Sequence, residues 1–395
     1  MIRTPRRWAG ALALAGATLA GAAETPADAL ADLGLALLRQ GDAPNQVVSP
    51  LAVITALGLA HAGLNGPAEG EIESLFGPTG RGPQGFRVQL PALLKQLPPA
   101  PFVMANRVWI DNRAAAAVPA GFRQRLATRY GADAQRVDFR QAEAARSLVN
   151  GWTAQHTNGR ITELLPAGSV SAATQLTLTT AIHFRSPWER PFDAAQTAPR
   201  AFATATGSRE LPTLLDERGV AQAAADDGTR VYALPFADQA YWLLLAVPAV
   251  AGDTKSLLQS MSGAKLSAWR AALQPQKCRL ALPKFELAPQ AASVRPALEA
   301  LGVKTAFTAA ADLRPMLGAR AKRTHVGDVF QAAAIRIDET GGEAAAAAAA
   351  TVVAKTFVPL PVPDCAVDRP FVFVVLHGAS GTPLFMGRVG DPSVQ

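Results

Sequence analysis

The side chains that usually carry out enzyme chemistry stand in no recognised catalytic spacing in this 395-residue chain. Ser380 lies in the sequence HGASG, which is not the GxSxG elbow, and the strands predicted on either side indicate an ordinary turn. Asp338 and Glu339 are adjacent, so on a strand their carboxylates would point to opposite faces. The five histidines are scattered, and the chain has no HExxH, CxxC or P-loop sequence. We therefore expect no enzyme active site, no metal and no cofactor.

The most unusual stretch is residues 339–355, which read ETGGEAAAAAAATVVAK. Alanine is the best helix former, so local propensity predicts a helix over the seven consecutive alanines at 344–350. The surroundings oppose a helix, because two glycines precede the tract and the β-branched residues Thr351, Val352 and Val353 follow it. Local propensity alone does not explain why a globular protein carries this tract.

The first 23 residues have the pattern of a secretory signal peptide. Arg3, Arg6 and Arg7 precede an uncharged apolar run, and small residues follow it. The run is too short to span a bilayer. We expect a single exported domain over residues 24–395, in the periplasm or outside the cell, with no membrane attachment after the signal is removed.

The composition excludes a disulfide-rich scaffold and does not indicate a charged partner. The chain has only two cysteines, Cys278 and Cys365, and whether they pair is left open by the sequence. The formal net charge of +7 could favour a polyanion, but the basic residues are dispersed and indicate a solvated surface. We expect a monomer.

The predicted helices lie mostly in the first half of the chain and the predicted strands in the second half. Leucine spacing predicts a helix in PADALADLGLALLRQ, and SPLAVITALGLAHAGL predicts another, with Ser49 as its N-cap and Pro50 at its first position. Both helices are expected to bury one face. This segregation favours an α+β fold. Residues 341–370 contain no predicted element, and prolines at alternate positions, Pro359, Pro361 and Pro363, favour an extended path facing solvent.

Taken in chain order, a series of segments resembles the serpins, a family of serine-protease inhibitors, over essentially the whole mature chain. The matching segments are NQVVSPLAVITALGLAHAGLNGPAEGEI, ANRVWID, VNGWTAQHTNGRITELLPAGSV, LTTAIHFRSPWERPFD, LALPKFEL, LGVKTAF, IDETGGEAAAA, RPFVFVVLH and GTPLFMGRVGDP. The resemblance implies three β-sheets, eight or nine helices and an exposed reactive-centre loop at about residues 339–369. It also implies a target protease, which cleaves the loop, is held as a covalent acyl complex and is distorted when the loop inserts into the central sheet.

Loop insertion would explain the alanine tract, because a segment that slides between paired strands needs side chains that are small and easily ordered. Alanine loses almost no rotamer entropy on burial, whereas overpacking a closed core costs roughly 1–3 kcal/mol. The resemblance assigns the hinge and the inserting segment to the following residues: Glu339, Gly341, Gly342, Glu343, Ala344, Ala345, Ala346, Ala347 and Ala348. Gly342 replaces the hydroxyl residue that is common in inhibitors, and we expect it to make the loop more mobile.

Counting along the loop as in the family places the cleaved bond between Lys355 and Thr356, which would suit a trypsin-like protease. Cleavage after Phe357 or Leu360 remains an alternative, since the following interval is longer than usual. The resemblance assigns control of sheet opening to five residues: Ser49, Ala52, Thr180, Trp188 and Gln331. Three of them depart from the family's usual hydroxyl, asparagine and histidine, namely Ala52, Thr180 and Gln331. Thr180 and Gln331 keep hydrogen-bonding groups, so we expect a rebuilt cluster.

Two alternative functions stay open at this point. A non-inhibitory serpin that acts as a binding protein is one, because the sheet-opening cluster is altered. An inhibitor of cysteine proteases is the other, because the identity of the target is not determined by the sequence.

Overall fold

The computed structural model describes residues 25–97, 102–114, 117–224, 227–252, 254–289, 291–318, 324–342 and 362–394. Within these ranges there are ten α-helices: α1 (Pro26–Gln40), α2 (Pro50–His61), α3 (Pro67–Ser74), α4 (Phe86–Gln96), α5 (Ala120–Tyr130), α6 (Ala142–His156), α7 (Thr254–Ser260), α8 (Gly263–Ala272), α9 (Arg295–Ala300) and α10 (Arg314–Leu317). No helix in this part of the chain is both long and apolar enough to span a bilayer.

The same ranges contain seventeen strands. The strands of the first half are β1 (Asn45–Val48), β2 (Phe102–Asp111), β3 (Asp133–Val137), β4 (Leu176–Phe184), β5 (Ser186–Pro187) and β6 (Ala198–Thr204). Those that follow are β7 (Gly207–Ala224), β8 (Arg230–Pro235), β9 (Tyr241–Val247), β10 (Gln274–Pro283), β11 (Phe285–Leu287) and β12 (Ala292–Ser293). The last are β13 (Asp328–Ile337), β14 (Gly341–Gly342), β15 (Asp364–Ala366), β16 (Phe371–His377) and β17 (Pro383–Val389).

The strands form three sheets, which confirms the expected α+β fold. A nine-stranded sheet has the order β1-β17-β16-β9-β8-β7-β10-β15, with β6 also paired to β7. A six-stranded sheet has the order β11-β13-β4-β2-β3, with β12 paired to β13. The third sheet is the two-stranded pair β14-β5.

Helix α2 lies at the centre of the core. The Ser49 hydroxyl accepts a hydrogen bond from the backbone N–H of Ala52 at 3.1 Å, and Pro50 occupies the first turn, as predicted. The expectation that only one face of α2 is buried is wrong, because all twelve of its residues are buried. The helix packs against β2, β4 and β17 at once, so no side of it is left for solvent.

Strand β4 is the central strand of the six-stranded sheet and all nine of its residues are buried. On one face, Leu178 and Ile182 belong to the cluster around α2. On the other face, Ala181 belongs to a second cluster that includes Ala145 and Val149 of α6. The sheet is therefore covered on both sides.

The segment 341–370, predicted to lack regular elements, contains two short strands in its described parts, β14 and β15. The expected solvent-facing path is wrong at Cys365, whose side chain is buried beside β10. Pro363 is exposed, while Pro359 and Pro361 lie outside the described residues. The sequence reasoning also missed the hairpin β6-β7, whose polar, outward-facing residues weaken the apolar signal of a strand.

Candidate functional site

The candidate site is the seam between β4 and β13, which we define as their shared parallel ladder. The ladder joins seven residue pairs, from Thr177 and Asp328 at one end to His183 and Ala334 at the other. Beyond His183 the two strands no longer pair with each other, and β13 continues by pairing with β11. The seam is therefore closed along its length and open at its upper end.

The opening at the upper end of the seam is occupied by the start of the predicted hinge. Gly341 and Gly342 pair antiparallel with Pro187 and Ser186, which continue the chain from β4. On the other side, the backbone N–H of Asp338 donates to the Gly341 carbonyl at 3.1 Å. The two glycines thus lie between the continuation of β4 and the end of β13.

Each hinge glycine is required by a different contact. Gly341 has φ +138°, and a Cβ there would lie 2.3 Å from the Ser186 carbonyl oxygen. A Cβ on Gly342 would lie 2.8 Å from Cδ1 of the Phe184 ring. Both glycines are buried, so Gly342 lies in a paired, packed position. This differs from the sequence-based expectation that Gly342 makes the loop more mobile.

Trp188 holds the turn that leads into the hinge. Its indole Nε1–H donates to the Asp338 carbonyl at 2.9 Å, and its backbone N–H donates to the Thr340 carbonyl at 2.9 Å. The indole stacks on Phe236 with ring centroids 4.5 Å apart, and only 2% of the residue is exposed. Trp188, assigned to sheet-opening control by the resemblance, therefore contacts the turn before the predicted hinge.

Glu339 anchors the same turn by its side chain. Its carboxylate accepts hydrogen bonds from Lys284 Nζ at 3.0 Å and from the Thr197 hydroxyl at 2.9 Å. Burial raises the pKa of this carboxyl group, but the hydrogen bonds outweigh burial and hold its pKa below the ordinary 4.5. These bonds hold the base of the predicted hinge to Lys284, which lies between β10 and β11, and to Thr197, which precedes β6.

The other residues predicted to control sheet opening do not form one network. The Ser49 hydroxyl donates to the Leu384 carbonyl at 2.6 Å, on β17, and Ala52 has no side-chain polar group to add. The Thr180 hydroxyl donates to Asn106 Oδ1 at 2.5 Å, on β2. Gln331 lies opposite Thr180 in the ladder, yet its Oε1 is buried without a hydrogen-bond partner. The expected rebuilt cluster is present only as separate pairs.

His183 is a seam residue that the sequence reasoning missed. Only 4% of it is exposed, and neither ring nitrogen has a hydrogen-bond partner. Burial lowers its pKa below the ordinary 6.5, and the charges of Arg160 and Arg185 lower it further. The sequence around a single histidine in an apolar strand does not indicate whether its ring nitrogens will lack hydrogen-bond partners, because that depends on which strands surround it.

Cys278 and Cys365 form a disulfide, which resolves the pairing left open by the sequence. The bond joins β10 to β15 and both residues are buried. Their Cα atoms are 5.8 Å apart and 87 positions apart in the chain.

One group of side chains in the described ranges has ligand atoms close enough for a metal ion. His61 Nε2 lies 3.1 Å from Glu73 Oε1 and 3.7 Å from Glu69 Oε1. The Arg87 guanidinium contacts Glu69, so one of the two carboxylates already has a cationic partner. We interpret this group as an ion-pair cluster between α2, α3 and α4.

Ser380 lies on a turn between β16 and β17, as predicted. Its hydroxyl is 2.8 Å from His377 Nδ1 and 2.7 Å from the Thr382 hydroxyl. These bonds close the turn, together with the backbone N–H of Gly381, which donates to the His377 carbonyl.

Several predicted site residues lie outside the described residues. These are Glu343, Ala344, Ala345, Ala346, Ala347 and Ala348 of the inserting segment, and Lys355 and Thr356 of the predicted reactive bond. The predicted signal peptide also lies outside them.

Comparison with protein families explains the arrangement of hinge, seam and covering helices. The family model described as Serpin (serine protease inhibitor) matches residues 28–392. The chain belongs to the serpin family. Serpins are generally protease inhibitors that bind target proteases and are not catalytic enzymes.

Individual relatives agree over nearly the whole chain. A serine protease inhibitor of Cyanea capillata is 26% identical over 375 residues, covering 90% of this chain and 95% of that protein. Serpin-Z2B of Triticum aestivum is 29% identical over 370 residues, covering 88% and 90%. The fold is shared with native tengpin, a thermophilic serpin, at TM-score 0.83 and 22% identity over 92% of this chain and 93% of that one. Uncleaved ovalbumin superposes at TM-score 0.80 with 24% identity, covering 93% and 100%.

Gly341→Ala should lower the free energy of unfolding by about 1–3 kcal/mol or more, because a non-glycine residue is strained at this φ and its Cβ would meet the Ser186 carbonyl. Gly207→Ala is the matched control: Gly207 has φ +136° but open space around its Cβ position. Urea denaturation of both variants separates backbone strain from the seam contact. Equal losses in the two variants would show that the contact is unimportant.

His183 should make the closed seam less stable in acid. Because its pKa is lowered on folding, the unfolded chain binds the proton more tightly, so stability is complete above about pH 6.5 and falls as the pH drops below that value. His183→Leu should flatten this fall, leaving a remainder from His61 and His377, whose pKa values burial also lowers. Unfolding curves in urea at several pH values test this, and identical slopes for wild type and variant would contradict it.

Proposed function

We propose that the protein is a suicide-substrate inhibitor of serine proteases that traps its target by inserting the cleaved loop into the seam. The observation that carries this proposal is the position of Gly341 and Gly342, which already pair with Ser186 and Pro187 at the open end of the seam. A cleaved loop would need only to continue the pairing that these residues have begun.

The existing register supports a specific position for each loop residue. Gly342 pairs with Ser186, so an uninterrupted antiparallel ladder would bring Ala346 opposite Ile182 and Ala348 opposite Thr180. Since Thr180 pairs with Gln331 in the closed seam, Ala348 would enter between these two residues. The inserted strand would replace the seven pairs of the seam by ladders on both of its edges.

This placement explains why the tract is alanine at every position and does not alternate. A strand in the seam is covered by the α2 cluster on one face and by the α6 cluster on the other. Ala346 and Ala348 would face α2, whereas Ala345 and Ala347 would face α6, because successive side chains point to opposite faces. Large side chains on either face would overpack a closed core.

The closed seam also has unsatisfied polar groups that favour its opening. Gln331 Oε1 and both ring nitrogens of His183 are buried without partners on the two strands that must separate. An unsatisfied buried polar group costs roughly 1–3 kcal/mol. The closed seam carries this cost, which supports a native state held above its lowest free energy.

Specificity and location remain sequence-based parts of the proposal. Lys355 as the residue before the cleaved bond supports a trypsin-like target, with Phe357 and Leu360 as alternative sites. The N-terminal pattern of residues 1–23 supports export to the periplasm or the medium, where the protein would act as a monomer. A polyanion is not required by any of these observations.

Incubation with a trypsin-like protease should give an adduct that survives SDS, and Ala346→Arg should turn the inhibitor into a substrate that is cleaved without an adduct. The reason is that an arginine opposite Ile182 would bury an unpaired charge against α2. Val250→Arg, at a position 66% exposed, is the control and should inhibit normally. Mass spectrometry identifies the cleaved bond. Unchanged adduct formation by Ala346→Arg would refute insertion.

A second candidate is a non-inhibitory serpin that acts as a binding protein, and the incomplete hydrogen bonding among Ser49, Thr180 and Gln331 is the observation in its favour. A variant of the same mechanism, in which the target is a cysteine protease, would be recognised by an adduct with that class alone.

Thermal denaturation before and after loop cleavage distinguishes an inhibitor from a non-inhibitory serpin. Insertion adds a fully paired central strand, so cleavage should raise the unfolding temperature by roughly 10–20 °C if about 5 kcal/mol are released, at about 2–4 °C per kcal/mol for a large domain. A loop that is nicked but not inserted would leave the unfolding temperature unchanged, and that result would favour the binding protein.

A further inference from the structure

Strand β15 is the first described element after the loop, and its attachment to the sheet is short. Its ladder with β10 has three pairs, the central one between Leu280 and Cys365. Two backbone hydrogen bonds extend the attachment: Arg279 N–H donates to the Pro363 carbonyl at 2.9 Å, and Val367 N–H donates to the Ala281 carbonyl at 2.8 Å. Strand β10 itself pairs with β7 over ten residues. A short edge strand is therefore fixed to a firmly embedded one.

The disulfide between Cys278 and Cys365 makes this attachment covalent. Both cysteines are at most 1% exposed, so the bond is shielded from solvent. The neighbouring ion pair between Arg279 and Asp364 is exposed on both sides, at 63% and 69%, and contributes little. The hydrogen bonds between β15 and β10 alone would not hold β15 as firmly as the disulfide does.

The position of Cys365 limits how far an intact loop can travel. Insertion of residues 343–355 as a strand would carry the chain about 43 Å down the seam, at ~3.3 Å per residue. In an uncleaved molecule the following residues would have to return over a similar distance, because Cys365 pairs with Leu280, four residues before Lys284, which contacts Glu339 at the base of the hinge. With Cys365 fixed, only residues 356–364 are available, and nine residues span at most about 32 Å.

Without the disulfide the limit moves to β16. If β15 detached, residues 356–370 could return, and fifteen residues span at most about 54 Å. The required ~43 Å lies between these two limits, so the attachment of β15 decides whether the intact loop can insert. A cleaved loop is under no such limit, since its end is free.

We propose that the Cys278–Cys365 disulfide prevents insertion of the intact loop, so that the protein keeps its inhibitory form until a protease cuts it. This inference rests on the proposed function, and it adds a redox-dependent control of that function. In an oxidising compartment the disulfide persists. Where the bond has not formed, or is reduced after local opening, β15 is held by hydrogen bonds alone, and the molecule inactivates itself without being cleaved.

The double variant Cys278→Ser/Cys365→Ser tests the proposal directly. Incubated without protease, it should convert at least about tenfold faster than oxidised wild type, a difference of ~1.4 kcal/mol in barrier, into a soluble form of unchanged mass. That form should unfold at a higher temperature and form no adduct. Equal conversion rates would overturn the proposal. Loss of the variant only by unfolding and aggregation, at a lowered temperature, would also overturn it, because the disulfide would then merely stabilise the fold.

A second variant keeps the disulfide and tests the length argument, so the proposal remains testable if the cysteine variant fails to fold. Six Gly and Ser residues inserted between Pro361 and Val362 extend the return path to fifteen residues, and the oxidised protein should then convert as well. The same insertion in the exposed turn after Thr204 is the control and should not convert. If the lengthened loop also stays unconverted, the length limit is wrong.

Adduct formation by fresh oxidised wild type distinguishes failure of the disulfide control from failure of the proposed inhibitor function. Wild type that forms an adduct while neither variant converts leaves the proposed function intact and overturns the disulfide control. Wild type that forms no adduct overturns the proposed function, whichever way the variants behave.

Discussion

The pairing between β4 and β13 is the interaction on which the rest of this structure depends. Seven residue pairs close the central sheet, and they lie between two apolar clusters that exclude water from both faces. Backbone hydrogen bonds in such a setting have no solvent to replace them, so in the proposed mechanism the ladder opens only when another strand takes its place. The same ladder contains Gln331 and His183 with polar atoms that have no partners, and these lower the stability of the closed state.

The surroundings of the seam are consistent with this constraint. Helix α2 is buried on every side because it fills the space between the central sheet and β17. The turn before the hinge is held by Trp188 and by Glu339, so that the chain enters the opening in one direction. The predicted hinge starts with Gly341 and Gly342 in this opening, and a Cβ at either position would meet a neighbouring atom. Rigid surroundings and a narrow entrance together favour small residues.

The two ends of the predicted loop are attached to the rest of the protein in different ways. In our proposals this difference determines which end inserts. The entering end continues from a ladder that it can extend, whereas the leaving end is fixed by β15 and the Cys278–Cys365 disulfide. In our proposals, cutting the loop frees the first end and leaves the second in place. Chain length therefore couples the proposed insertion to the proposed cleavage, without any contact between the two regions.

Local pattern in the sequence was enough for the first helices and for the family, but not for the hairpin β6-β7. Helix α1 and the Ser49–Pro50 start of α2 follow from neighbouring residues, as does the series of segments shared with serpins. Tertiary structure alone decided that α2 is buried all round, that Cys278 pairs with Cys365, that Gly342 packs on Phe184, and that His183 has no partner. The physical reason is that capping, helical spacing and alternation act over a few residues, whereas these contacts join positions far apart in the chain. Which groups meet there, and which are left without a partner, depends on how whole sheets and helices pack.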